Sequence, residues 1–372
     1  MSDLEQRYVS AYIHLNLPVM RKEIHMAIEK FSVSRDDSIY HAWPDLVLTR
    51  GGKLICVFTE CTHHKNRNSS RIMITESTDR GRSWSPKRPL TETSDASFYF
   101  NNSRISRLPD DSLAIICDRV DSTGKGECGP RTCQYIWQSD PEGLDFGEPR
   151  ILPLCGIVPD KYRVLSNGRI LIVAHSKNFA TGQNEQYLWY SDDGGDTWSD
   201  RVTIGADPRY NLCEGSVLEL GGGVLVCFMR ENSKKGLDCF KAISRDFGAS
   251  WEGVYTLPIP GCHRPVSGKL KDGRILLTYR FLQGGAGWMG HCTQNTFAAV
   301  FSEETALEPA REKQSVRIMP LDYDRSANSD LGYTGWVQFD DEEIYIVNYI
   351  VDDAPKAQIR GYSLYPSDIL LG

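Results

Sequence analysis

Glu214, Arg230, Arg264 and Tyr333, a carboxylate, two guanidinium groups and a phenol, stand at equivalent places in a repeat. Six segments each hold a short apolar run, a tight polar or glycine turn and a second run rich in β-branched residues, at 43–58, 103–118, 163–175, 215–230, 265–280 and 333–349. Each has the pattern of a β-hairpin. Aligned on Leu48, Leu108, Leu165, Leu220, Leu270 and Phe339, the positions six residues earlier are Ala42, Asn102, Pro159, Glu214, Arg264 and Tyr333. Ten residues after the same anchors, where the second strand returns to that face, stand Phe58, Asp118, His175, Arg230, Arg280 and Tyr349. A carboxylate, guanidinium groups and a phenol at one mouth can grip an anion by charge-assisted bonds and move a proton, since a phenol with an ordinary pKa of about 10 needs a base at neutral pH.

The elements that must position these groups follow from the spacing of the turns. Taking Gly52, Asp111, Gly168, Gly223, Gly273 and Asp341 as turn markers, the intervals are 59, 57, 55, 50 and 68 residues, the period of propeller blades with variable loops. A second marker, Ser-x-Asp-x-Gly-x-Ser/Thr-Trp, recurs at Ser77–Trp84, Ser191–Trp198 and Ser244–Trp251, its tryptophan 32, 30 and 28 residues behind the turn marker. A worn copy follows the second hairpin, where Ser139, Gly143 and Phe146 keep the frame but Pro141 replaces the aspartate. The carboxylate accepts turn N–H bonds, glycine supplies positive φ and the aromatic ring buries area against the blade. These features predict an all-β, six-bladed β-propeller of four-stranded antiparallel blades, one domain over 1–372. Residues 1–23 read as an N-terminal extension and 24–35 as a strand closing the last blade, with a helix over 18–30 the alternative.

Composition narrows the function. The chain is 40% hydrophobic and 24% charged, ordinary globular usage, with a net charge of −7 and no basic tail or stripe. That argues against general nucleic-acid or anionic-membrane binding, so any anion must be met by local arginines. The eleven cysteines are scattered, and the polar N-terminus is not followed by an apolar run, so a cytoplasmic location is expected. The oligomeric state is left open.

The three boxes in phase with six hairpins resemble the Asp boxes of the sialidase superfamily, over about residues 39–364. Glu214-Gly-Ser-Val-Leu-Glu-Leu through Phe228-Met229-Arg230 is similar to the sialidase segment that carries the catalytic glutamate and one arginine of the carboxylate-binding triad. Arg264 matches a second triad arginine, and Tyr333 in Gly332-Tyr333-Thr334-Gly335 matches the nucleophilic tyrosine. The resemblance implies a Tyr333 nucleophile activated by Glu214, the arrangement by which sialidases depart from the two-carboxylate rule. It breaks at the first blade, where His41-Ala42-Trp43-Pro44-Asp45 replaces Arg-Ile-Pro, and in the loop Glu60–Asn68, which holds no aspartate to serve as acid.

Glu60 fits a family glutamate. Replacement acids are His63 or His64 from that loop, or His41 or Asp45 at the blade mouth. His175, Arg104 and Arg280 lie near the same face and could read substrate hydroxyls or a carboxylate. No cofactor is expected, and His63 and His64 with Glu60 alone do not make a metal set. The expected function is that of an exo-acting glycoside hydrolase removing a terminal, anionic sugar (sialic-acid-like, ulosonic or uronic) from an oligosaccharide or glycoconjugate. With one triad arginine missing, N-acetylneuraminic acid itself is expected to be a poor substrate. The alternatives are a carbohydrate-binding propeller without turnover and a polysaccharide lyase-type propeller enzyme using His and Tyr.

Overall fold

The computed structural model describes residues 28–67, 69–122, 131–283 and 294–369. Five of its six inner hairpins are joined by the same tight turn, and the fourth by the two-residue turn Gly222-Gly223 between the paired Gly221 and Val224. In the first, Lys53 O accepts from Thr49 N and Thr49 O from Gly52 N, with Gly52 at φ 85°. Leu165–Arg169 and Leu270–Arg274 repeat the pattern around Gly168 and Gly273. Two copies place a carboxylate residue in the left-handed conformation instead, Asp111 at φ 67° and Glu342 at φ 73°. The last turn thus pivots on Glu342, one residue beyond the expected marker Asp341.

The first blade is β2 (Tyr40–Leu48), β3 (Leu54–Cys61), β4 (Arg71–Ser77) and β5 (Arg88–Pro89), hydrogen-bonded in that order and antiparallel. Four more blades keep the sequential order. Their inner pairs are β6 (Phe98–Arg107) with β7 (Leu113–Asp121), β10 (Arg163–Val164) with β11 (Ile170–Lys177), β14 (Leu212–Gly221) with β15 (Val224–Glu231), and β18 (Cys262–Lys269) with β19 (Ile275–Leu282). The sixth blade runs β22 (Leu331–Gln338), β23 (Ile344–Ile350) and β24 (Gln358–Leu364), and its outer strand is β1 (Glu29–Ser34) from the other end of the chain. Glu29 pairs with Ser363 and Phe31 with Gly361, so the ring closes inside one sheet and that edge is covered. Glu29 and Lys30, within the segment considered for a helix, are strand; residues 1–27 lie outside the described residues.

Apolar side chains fill the spaces between blades. Leu54, Cys56 and Phe58 of the first blade pack with Tyr345, Val347 and Tyr349 of the last, and Ile55 and Val57 pack on the other side with Ile105, Ile115 and Cys117 of the second. Burying each large aliphatic or aromatic side chain contributes about 1.5–3 kcal/mol. The Ser-x-Asp turns clasp these layers from outside. Asp79 accepts from Ser77 Oγ, Ser83 N and Ser83 Oγ, while Gly81 O accepts from Trp84 Nε1 and, at 2.7 Å, from Tyr345 OH of the last blade. Asp193 and Asp246 make the same turn bonds. The worn copy keeps its acceptor one residue earlier: Asp140 takes the N–H groups of Glu142 and Leu144.

Candidate active site

Each inner strand kinks where it reaches the central cavity. In β14, Cys213 pairs with Arg230 and Ser216 with Phe228, so Glu214 and Gly215 together oppose one residue, Met229. The same two-against-one bulge puts Trp43 and Pro44 opposite Phe58, Arg264 and Pro265 opposite Tyr279, and Tyr333 and Thr334 opposite Asn348. In these four blades the first bulged residue is left-handed, at φ 54° for Trp43, 52° for Glu214, 50° for Arg264 and 54° for Tyr333, whereas the second-blade bulge at Asn101 and Asn102 is not. Non-glycine residues held in that region cost roughly 1–3 kcal/mol each and gather at functional sites. In the third blade Val158 takes φ 53° ahead of the short β10. The equivalent positions in the first and third blades are therefore Trp43 and Val158, one residue from the expected Ala42 and Pro159.

The bulges of the fourth and sixth blades bring Glu214 and Tyr333 together. Tyr333 OH donates to Glu214 Oε1 at 2.7 Å, and Arg230 Nη1 donates to both Glu214 oxygens at 2.8 Å. Arg230 reaches Glu214 because it stands across the hairpin from Cys213. Burial works to raise the Glu214 pKa, but the charges of Arg230 and Arg280 and the nearby His175 outweigh it and hold the carboxyl at about 2. Burial, reinforced by the Glu214 charge, pushes the Tyr333 hydroxyl well above the ordinary phenol value despite Arg230 and Arg280. At neutral pH the pair is a carboxylate bonded to a neutral phenol. His175 accepts the Glu214 N–H through Nδ1 at 3.3 Å, and burial, with Arg230 and Arg264, holds it at about 4 against the pull of Glu214, so it is neutral.

A second group faces this pair across the same cavity of about 910 Å³. Asp330, three residues before Tyr333, accepts from His64 Nδ1 at 2.6 Å, from Tyr349 OH at 2.9 Å and from Tyr40 OH. Its burial works against the charge, but the His64 bond and charge, the Tyr40 bond and Arg280 keep its pKa below the usual carboxylate value. The Trp43 ring stands edge-on to His64 at 5.3 Å and to Tyr333 at 6.5 Å between centroids, and the Arg67 guanidinium lies 4.6 Å from its centre. Lys65, Arg67, Arg230, Lys234, Arg280 and Lys356 line the cavity against the carboxylates Glu214 and Asp330. Such a wall favours an anion. Among the described residues no group of three or more His, Cys, Asp and Glu side chains could hold a metal.

Of the residues expected at the site, Tyr333, Glu214, Arg230, Arg280, His175, His63 and His64 line the cavity. Five do not. Arg264 is fully buried and donates to the backbone oxygens of Glu214, Gly215 and Pro159, bracing the bulge. Asp45 and Arg104 are buried beside each other at 3.3 Å, Asp45 also taking Lys161 and the Ile105 N–H while Arg104 donates to Pro44 O and Thr334 O. His41 and Glu60 are buried against one another at 3.3 Å away from the cavity lining, with Glu60 further held by Arg71 and Lys87. Arg67 and Asp330 were not singled out from sequence. Arg67 stands in the very loop read for its lack of aspartate, and Asp330 lies close ahead of Tyr333.

No family model matches the chain, and no curated protein matches it in sequence. Solved structures match it in fold. A Dyadobacter fermentans protein of unknown function superposes with a TM-score of 0.72 at 19% identity, over 91% of this chain and 98% of that one. The NanB sialidase from Streptococcus pneumoniae, as its K499G mutant, gives 0.66 at 13% identity over 100% and 73%. The intramolecular trans-sialidase from Ruminococcus gnavus gives 0.65 at 13% identity over 90% and 96%. At these identities the likeness is one of fold. On that ground the chain is a six-bladed β-propeller of the sialidase-like type.

Proposed function

We propose that the protein is an exo-acting glycoside hydrolase that removes a terminal anionic sugar, with Tyr333 as nucleophile and Glu214 as its base. The observation that carries this reading is the buried 2.7 Å bond from the Tyr333 hydroxyl to a carboxylate held ionised by Arg230. As the phenol oxygen bonds to the anomeric carbon, its proton passes to Glu214, and the glycosidic bond breaks. A neutral nucleophile suits a sugar whose own carboxylate would repel a second one. Arg280, with its guanidinium 5.8 Å from the Tyr333 ring, stabilises the phenolate character that develops.

The anion would be gripped by Arg67, Arg230 and Arg280, the guanidinium groups on the cavity wall. The expectation that N-acetylneuraminic acid binds poorly counted two arginines, Arg230 and Arg264, whereas Arg67, Arg230 and Arg280 line the cavity. The test is a panel of aryl glycosides of sialic, ulosonic and uronic acids beside neutral sugars. Turnover of an anionic member is expected, with kcat lowered by about 10³-fold or more in Tyr333→Phe. Saturable binding without turnover would make the protein a carbohydrate-binding propeller, and wild-type rates in Tyr333→Phe would remove the nucleophile.

A further inference from the structure

Breaking a glycosidic bond leaves an oxygen that needs a proton, and the Tyr333–Glu214 pair cannot supply it while Glu214 is accepting one. We infer that His64 gives this proton and that Asp330 is its positioning residue, an inference that rests on the hydrolase reading above. The other imidazoles of the cavity, and the carboxyl of Glu60, are engaged or held neutral. His175 Nδ1 accepts from the Glu214 backbone, and burial keeps that imidazole neutral. Burial, with Arg230 and Arg280 nearby, likewise pushes His263 well below the ordinary imidazole value. His63 turns Nδ1 to the Lys65 N–H. Glu60, the acid of that loop, is bound outside the cavity by Arg71 and Lys87.

His64 differs from these in its partner. A carboxylate can only accept, so the 2.6 Å contact puts a proton on Nδ1 and fixes the ring, leaving Nε2 as its second protic site. Asp330 is committed on both oxygens, Oδ1 by Tyr349 and Oδ2 by His64 and Tyr40, which makes it an orienting group with no proton of its own to give. Both His64 and Tyr333 pack against Trp43, so a sugar lodged beside that ring meets the nucleophile and the donor together. In the first step the C–O bond to the aglycone breaks, its oxygen takes the Nε2 proton of the His64 imidazolium, and Tyr333 O bonds to the sugar while Glu214 holds the phenolic proton. In the second, His64 Nε2 takes a proton from the attacking water, the bond from Tyr333 to the sugar breaks, and Glu214 returns the proton to Tyr333.

The experiment compares kcat/KM, which ends with the first irreversible step, on two glycosides of the same anionic sugar. One carries 2,4-dinitrophenol, which leaves without protonation, and the other an alkyl alcohol, which does not. His64→Asn keeps a donor toward Asp330 but has no proton to transfer. It should lose about 10²–10⁴-fold on the alkyl glycoside and only a few-fold on the dinitrophenyl one. His64→Ala should show the same split, and Asp330→Asn a smaller split in the same direction, with melting temperatures confirming that each variant is folded. Equal losses on both substrates, or none, in folded His64 variants would overturn the assignment. The hydrolase reading fails differently, by wild-type protein that turns over neither glycoside or by Tyr333→Phe that keeps both rates.

Discussion

Arg230→Met removes the cation that bridges both oxygens of Glu214, a residue only 6% exposed. Without it the buried carboxyl keeps the Arg280 charge but loses both of its 2.8 Å guanidinium bonds. Carrying its pKa from about 2 back to the ordinary 4.5 corresponds to roughly 3 kcal/mol at about 1.4 kcal/mol per pH unit. Burial then pushes it further, so a loss of about 3–5 kcal/mol is expected at pH 7, the usual result of orphaning one partner of a buried pair. In the native protein the folded pKa lies below the unfolded one, so the Glu214 contribution is complete above about 4.5 and drains away as pH falls toward 2. In the variant the folded pKa is raised, and the penalty grows as pH rises through 4.5 and above. The stability gap should therefore narrow between pH 7 and pH 4. Urea unfolding at both pH values measures it, provided the denaturant slope is unchanged. Adding Glu214→Gln should recover most of the loss by removing the stranded charge. A gap of the same size at both pH values, or no recovery in the double variant, would refute the electrostatic reasoning.

Other substitutions separate support from chemistry. Arg264→Met strands the carbonyl oxygens of Pro159, Glu214 and Gly215, and a drop of about 3 kcal/mol in unfolding free energy is expected; an unchanged midpoint would show that Arg264 does not brace the bulge. Asp246→Ala deletes the acceptor of the Ser244 hydroxyl and of the Ser250 N–H and hydroxyl, lowering stability by about 1–2 kcal/mol while sparing turnover in the folded protein. Loss of activity without loss of melting temperature would contradict that. His175 is held neutral down to about 4, so stability should rise with pH across the window from about 4 to the ordinary 6.5, where the unfolded chain binds the proton first. Imidazole NMR should find this ring neutral from pH 5 to 8, and a titration midpoint near 6.5 would count against its burial.

The ring of blades was legible because each hairpin declares itself locally, through a turn residue and two apolar runs, and the turn fixes the register. Glu214 and Arg230 could be paired for that reason: one hairpin carries both. What counting residues misses is the bulge. It is common to the first, fourth, fifth and sixth blades, and the column slid from Trp43 to Ala42 in the first because the residue that opens that turn is Thr49 and not the apolar Leu48 before it. Nor does position alone tell where a long side chain runs. Arg264 and Glu214 occupy the same left-handed slot, yet the arginine reaches back to the Pro159 carbonyl while the carboxylate meets the cavity. The His64–Asp330 contact joins residues 266 positions apart on opposite sides of the ring closure, and nothing in either neighbourhood announces the other.

The shared left-handed slot has a consequence for how such a ring changes over generations. Its backbone geometry is nearly identical at Trp43, Glu214, Arg264 and Tyr333, four residues with no chemistry in common. The slot therefore places no demand of its own on the side chain it displays, except that glycine would suit it best. Retaining anything else there is a standing concession of stability to function. Exchange of one residue in a slot can then replace a nucleophile by a brace, or a brace by an aromatic wall, without moving a strand. Drift after loss of activity should run toward glycine, and a relative whose four slots still hold large polar or aromatic side chains is one in which selection continues to act on the cavity.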